Sequence, residues 1–150
     1  MPDQKTIERA RKDRREGKSA STQAGEFVRE EIHHIREGKH GSRSTKQAIA
    51  IGLSKARRAG VKLPPPEPGA TSPETLERAQ RDLDKAESGD IRVSRRRARA
   101  THEALEHEGS AAVSPRALAK QARSAARRRG PAARPAAARK AARTRARRSS

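Results

Sequence analysis

Apolar positions along this chain are sparse, and they recur at helical rather than strand spacing. From Thr22 to Glu37, Ala24, Phe27, Val28, Ile32 and Ile35 fall on one helical stripe. Gly38 follows, suited to a left-handed cap. After the turn Lys39-His40-Gly41-Ser42-Arg43, Ser44 opens a second helix, and Gln47 three residues later completes a capping box. Ala48, Ile49, Gly52, Leu53 and Ala56 form its apolar face, and Gly60 ends it. So short a connection predicts an antiparallel αα-hairpin over 22–63, with Gly52 and the alanines letting the backbones approach closely. Ile51 points off this face, where Val61 or Leu63 could meet it as the chain returns.

The flanking segments carry weaker signals. Residues 1–21 read as a polar arm, because Ile7 is the only large apolar residue between Met1 and Phe27. Opposite charges at helical spacing there (Glu8 with Lys12, Arg9 with Asp13, Lys12 with Glu16) add about 0.2–0.5 kcal/mol each. That is too little to hold a lone helix, so a frayed one ending near Gly17 is expected. Residues 64–72, with Pro64-Pro65-Pro66-Glu67-Pro68-Gly69, read as a stiff polyproline-like linker. Three loosely packed helices are expected over 73–129. The first starts at Ser72-Pro73, carries a narrow seam of Leu76, Ala79, Leu83 and Ala86, and ends at Gly89. The second runs from Ser94 to Gly109 with only Ala98 and Leu105 as apolar contacts. The third runs from Ser114-Pro115 to Gly130-Pro131, with Val113 and Leu118 placed as a hydrophobic staple. Residues 130–150, interrupted by Pro131 and Pro135, are expected to form a disordered polycationic tail. The fold class is all-α.

Composition narrows this picture. Of 150 residues, 46 are apolar but 28 of these are Ala, leaving six Ile, six Leu, four Val, one Phe and one Met. A conventional core for a chain this long is excluded. About eight large apolar side chains for some 40 ordered residues leave the hairpin marginal alone, so self-association or docking of a later helix is expected. The absence of Cys excludes disulfides and Cys-based metal or redox sites. No run of residues is long and apolar enough for a membrane span, and the polar N-terminus has no signal-peptide core. An enzyme is not expected, since a preorganised site needs a rigid supporting shell.

The net charge of +19 is segmental. Residues 1–60 carry 15 basic and 8 acidic side chains, residues 61–110 carry 9 and 10, and residues 111–150 carry 13 and none. The thirteen C-terminal cations are Arg116, Lys120, Arg123, Arg127, Arg128, Arg129, Arg134, Arg139, Lys140, Arg143, Arg145, Arg147 and Arg148. In the predicted helix from Ser114 to Gly130, Arg116, Lys120, Arg123 and Arg127 share a stripe about 60° wide, with Leu118, Ala122 and Ala125 opposite. The excess of Arg over Lys suits bidentate phosphate contacts. Two further candidate anion sites are Arg95, Arg96, Arg97 and Arg99 at the start of the fourth helix, and Lys39, Arg43 and Lys46 around the hairpin turn. The histidines do not suggest a metal. His102 and His107 lie five apart, off the i, i+4 spacing of a zinc helix, and His33, Glu37 and His40 straddle a helix end. Neither a metal nor a cofactor is expected.

Three resemblances bear on this reading. The turn Gly38-Lys39-His40-Gly41 is similar to the backbone-clamping loop of KH domains, but no strands follow to build that fold. The stretch from Pro131 to Arg148 resembles the Ala/Lys/Arg/Pro-rich tails of linker histones and bacterial histone-like proteins. The segment from Phe27 to Gly41, followed by Ser44 to Gly60 with Lys46-Gln-Ala-Ile-Ala-Ile51 and Leu53-Ser54, is similar to a small bacterial family of unknown function, with Gly52 where that family carries Ala. That resemblance implies a bacterial protein and supports the two-helix reading, but it carries no activity. The function expected is sequence-nonspecific binding of duplex DNA by a cytoplasmic, nucleoid-associated, histone-like protein, through phosphate neutralisation. A protein–protein adaptor using the hairpin, with a protein partner or a second copy, and an RNA- or ribosome-associated factor are the alternatives.

Overall fold

The protein is described by a computed structural model covering residues 1–89 and 94–148, except for the side chains of Arg134, Ala137 and Arg148. Its elements are α1 (Gln4–Arg15), α2 (Ala20–Arg36), α3 (Thr45–Arg58), α4 (Pro73–Ser88), α5 (Arg95–Glu106), a 3-10 turn (Ala111–Val113) and α6 (Pro115–Arg148). There is no strand among the described residues. The chain divides into two compact units, residues 1–113 and 114–150.

Local chemistry sets the helix ends of the first unit. Ser19, Ser44 and Ser72 each accept a hydrogen bond from the amide three residues on, at 3.3, 3.1 and 3.3 Å. The Gln47 carboxamide oxygen accepts from the amide of Arg43 at 2.8 Å, one residue upstream of its usual capping-box partner. At the end of α2, Gly38 takes a φ of 74°, so its amide reaches Ile35 O and that of Lys39 reaches His34 O. The same pair of bonds closes α1 and α3.

Helices α2 and α3 pack antiparallel. Ala24 and Phe27 meet Ala56 at one end of the pair, and Ile35 meets Ala48 at the other. Between these ends the backbones nearly touch: a Cβ on Gly52 would stand 2.7 Å from Val28 Cα. Val61 and Leu63 join the Phe27 cluster as the chain leaves α3.

The segment expected as a frayed arm is instead a helix docked on α2. Ile7 and Ala10 complete the Phe27 cluster, and Thr6 and Asp13 are buried. Thr6, Ala10 and Asp13 recur at four and three residues, so α1 buries a face of small side chains that a search for large apolar residues passes over. Arg9 pairs across to Glu26 of α2 at 2.7 Å, and Lys18 closes the end of α1 against Asp13 at 2.5 Å and Glu16 at 2.6 Å.

The Pro-rich segment does not set α4 apart from α3. The buried Arg57 guanidinium donates to the carbonyls of Leu63 and Pro64, both at 3.3 Å, and ties the linker's start to α3. Burial pushes the pKa of that guanidinium down, opposed by nearby Asp82. Helix α4 lies on α3 with Ala79 buried and with Asp82 bonded to Ser54 and 3.9 Å from Arg58. Its seam of Leu76, Ala79, Leu83 and Ala86 holds its least exposed apolar residues. Helix α5 is exposed along its length except at Leu105. Beyond it, Val113 is buried against Ile35 and Ala48.

In the second unit residues 131–148, expected to be disordered, are helical, and Ser149 and Ser150 lie outside the described residues. Gly130, at φ 77° and ψ 171°, breaks α6 into segments 115–129 and 131–148. Eight of the eighteen residues in the latter are Ala and the rest are mostly Arg, the strongest helix formers. Pro131 opens that segment, where a missing amide proton costs nothing, and Pro135 removes one donor from the ladder.

Two measurements test this packing. In urea denaturation, Gly52→Ala is expected to lower stability by about 1–3 kcal/mol through overpacking against Val28. Gly25→Ala, with nothing within 4 Å of the added carbon, is expected to raise it by about 0.5–1 kcal/mol. Asp13 and Glu16 hold the Lys18 ammonium above the ordinary lysine pKa. The stabilisation from this contact is therefore complete below the ordinary lysine value and is lost as pH rises through the raised one. Alkaline unfolding of Lys18→Met should lack this component, with unfolding curves of both proteins against pH as the check.

Candidate functional site

The second unit presents the strongest charge. In segment 115–129, Arg116, Lys120, Arg123, Arg127, Arg128 and Arg129 are all exposed, while Leu118 and Ala125 are half-buried and Ala122 is exposed. The first four of these cations keep their common stripe, since the segment is helical throughout. In segment 131–148, Arg139, Lys140, Arg143, Arg145 and Arg147 are exposed. Arg134 and Arg148 lie in the helix, with side chains outside the described residues. At 100° per residue, positions 139, 143 and 147 fall on one side and 145 on the other, so this segment is cationic on more than one face. No Asp or Glu occurs after Glu108, so the unit contains no side-chain carboxylate to neutralise it.

The other candidate anion sites are arranged differently. At the hairpin turn, Lys39 pairs with Glu37 at 3.1 Å, which holds the Glu37 carboxyl below its usual pKa, and Arg43 pairs with Glu108 at 3.4 Å. Lys46 is exposed. The turn's amides already have acceptors: Gly41 donates to Leu105 O at 2.7 Å, Ser42 to Gly109 O at 3.0 Å, and Arg43 to Gln47. A Cβ on Gly41 would overlap the Glu108 carbonyl, so the turn is a docking point for the end of α5 rather than an open phosphate cradle. Arg95, Arg96, Arg97 and Arg99 stand exposed in the first turns of α5, whose Ser94 makes no side-chain cap.

The hairpin holds a polar cluster absent from the sequence reading. Glu30 and Glu31 are both buried, Glu31 completely. Lys55 from α3 lies 2.6 Å from Glu31 Oε2 and 3.7 Å from Glu30 Oε1. His40 Nε2 lies 3.1 Å from Glu31 Oε1, and the amide of Asp3 donates to Glu30 Oε2 at 3.2 Å. His34 Nε2 is 3.5 Å from the Asp3 carboxylate. By contrast His33 is exposed beside Glu37, and His102 pairs with Glu106 on the surface of α5. A signal existed in the sequence: Glu31 sits four residues from both Phe27 and Ile35, so it falls on the apolar stripe itself.

Residues 3–67 match a family of unknown function, DUF6496. The match begins at the residue before α1, spans α2 and α3, and ends in the Pro-rich linker, so it contains the whole buried cluster. Helices α4 to α6 lie outside it. No curated protein and no solved structure matches the chain.

The cluster's charge balance gives a direct expectation. Lys55→Met leaves the Glu31 carboxylate buried without its ammonium partner and should cost about 3–5 kcal/mol of stability. Adding Glu31→Gln to that variant removes the stranded charge and should recover part of the loss, as read by urea midpoints.

Proposed function

We propose that the protein binds duplex DNA without sequence preference and acts as a nucleoid-associated, histone-like factor by neutralising phosphates through α6. The observation that carries this reading is the second unit's thirteen cations with no acidic residue, presented on helical segments with the described basic side chains exposed. Each phosphate neutralised releases a condensed counterion, so such a surface binds by charge and salt governs its affinity. Guanidinium groups reach phosphate oxygens in pairs, which suits the Arg-rich composition.

Duplex is favoured over single strands by what the chain lacks. Stacking platforms for unpaired bases need aromatic side chains. There is no Trp or Tyr, and the single Phe27 is buried in the core of the first unit. Among the described residues no helix is long and apolar enough to cross a membrane.

The test is a gel-shift series in salt, with duplex DNA, duplex RNA and single strands in competition, on the full chain and on a truncation after Val113. That end point keeps the buried Val113 in place. The full chain should prefer duplex DNA, and for six to ten phosphate contacts it should lose about 10³–10⁵ in affinity between 50 and 200 mM salt. The truncated protein should lose most of both the affinity and the salt slope. Unchanged binding after truncation refutes the assignment to α6. Preference for duplex RNA moves the reading to an RNA-associated factor.

A further inference from the structure

The buried cluster in the first unit has a geometry that neutral side chains do not satisfy. His40 Nδ1 lies 3.0 Å from the carbonyl oxygen of Gly41, which can only accept, so Nδ1 carries the proton and donates it. In neutral His40 the lone pair of Nε2 then points at Glu31 Oε1, 3.1 Å away. That oxygen is buried and has no hydrogen-bond partner, and the residue that bears it is wholly buried. Two lone pairs facing one another at this distance beside a buried carboxylate require a positive centre between them, either a proton on Nε2 or a metal ion.

We propose that Glu31, His34 and His40 bind one divalent cation of the zinc class, and that this ion ties α2 to the α2–α3 turn. Three features of the Glu31–His40 pair carry it. The Glu31–His40 separation is close to the edge of a tetrahedron of ligands set about 2.0–2.1 Å from a metal, which is about 3.3 Å. An imidazole whose Nδ1 proton is fixed by a backbone carbonyl and whose Nε2 faces the ion is the usual orientation of a metal-binding histidine. Lys55 occupies the other oxygen of Glu31, so Oε1 is the atom left for the ion.

A third donor, His34, lies close by. His34 follows Glu31 by one helical turn, and one ligand atom from each of Glu31, His34 and His40 lies within 4.8 Å of the others. The rings of His34 and His40 meet edge to face with centroids 6.4 Å apart. His34 also completes a second trio with Asp3 and Glu30, which brings the exposed N-terminus of α1 to the site and offers a further carboxylate on its solvent side. Three carboxylates against the single ammonium of Lys55, with neutral histidines, leave two negative charges, which a divalent ion offsets. Two imidazole nitrogens with a carboxylate select zinc over magnesium or calcium, which favour oxygen-only sites.

The test uses the full metal-free chain titrated with zinc chloride, followed by calorimetry and thermal unfolding, with magnesium as the control and cobalt(II) for its visible absorption. One zinc ion per chain should bind and raise Tm, and a chelator should reverse the rise. His34→Gln and His40→Gln should each weaken binding by at least about tenfold. The variant His33→Gln/His102→Gln/His107→Gln should bind as the parent does. Binding lost in that triple variant, equal stabilisation by magnesium, or no zinc binding overturns the proposal. Should either single variant fail to fold, imidazole NMR shifts of the parent on adding zinc decide the matter: they must arise at His34 and His40, and shifts confined to the other three histidines overturn it.

Discussion

One carboxylate governs how the first unit is put together. Glu31 lies wholly inside the α2–α3 interface, where an isolated charge would be prohibitively costly. Groups from separate parts of the chain meet it: the ammonium of Lys55 on α3 pairs with one oxygen, and the imidazole of His40 on the turn faces the other. Its neighbour Glu30 takes a hydrogen bond from the amide of Asp3, just before α1. Sliding α3 by one helical turn would carry Lys55 about 5.4 Å away and strand the charge. The cluster therefore ties register, turn path and N-terminal docking to a single requirement. Its net stabilisation is smaller than the attraction alone, because desolvation offsets much of the attraction in any buried ion pair.

That requirement works together with unusually close packing. The unit has few large side chains to bury, and its core residues are largely Ala. Small residues contribute little transfer free energy each, but they let helices approach until backbone atoms themselves make the contacts. Gly52 against Val28, and Gly41 against Glu108, are two such close approaches, with no room for a Cβ at either glycine. The first brings Lys55 within reach of Glu31. The second seats the end of α5 against the turn that carries His40, where Leu105 and Gly109 accept its amides.

The parts legible in the sequence were those with large apolar periodicity or strong end signals. Phe27 and Ile35 locate α2, Ser44 with Gln47 locates the start of α3, and the Leu76–Leu83 seam locates the buried side of α4. The docking of α1 was hidden because its face consists of Thr6, Ala10 and Asp13, none of which reads as a core residue alone. Glu31 was hidden by its type, since charged side chains are normally assigned to the surface and only its place between Phe27 and Ile35 says otherwise. In the tail, proline and charge argued for disorder, whereas the Ala and Arg content favours helix and the prolines fall at or near a helix start.

The separation of charge along the chain has a physical logic of its own. A thin core tolerates little self-repulsion, and all 18 acidic residues lie in the first unit, against 24 basic ones there. Several of them serve as internal partners, as Asp13 does for Lys18, Glu26 for Arg9 and Glu31 for Lys55. The second unit keeps its 13 cations unbalanced. Like charges four residues apart, as at Arg116 and Lys120, each oppose the helix by about 0.2–0.5 kcal/mol. Alanine propensity works against that repulsion in α6. A polyanion laid along the helix would turn each of these repulsions into an attraction. Under the proposed function, helix formation in α6 and phosphate binding are thus coupled, and salt that screens one weakens the coupling to the other.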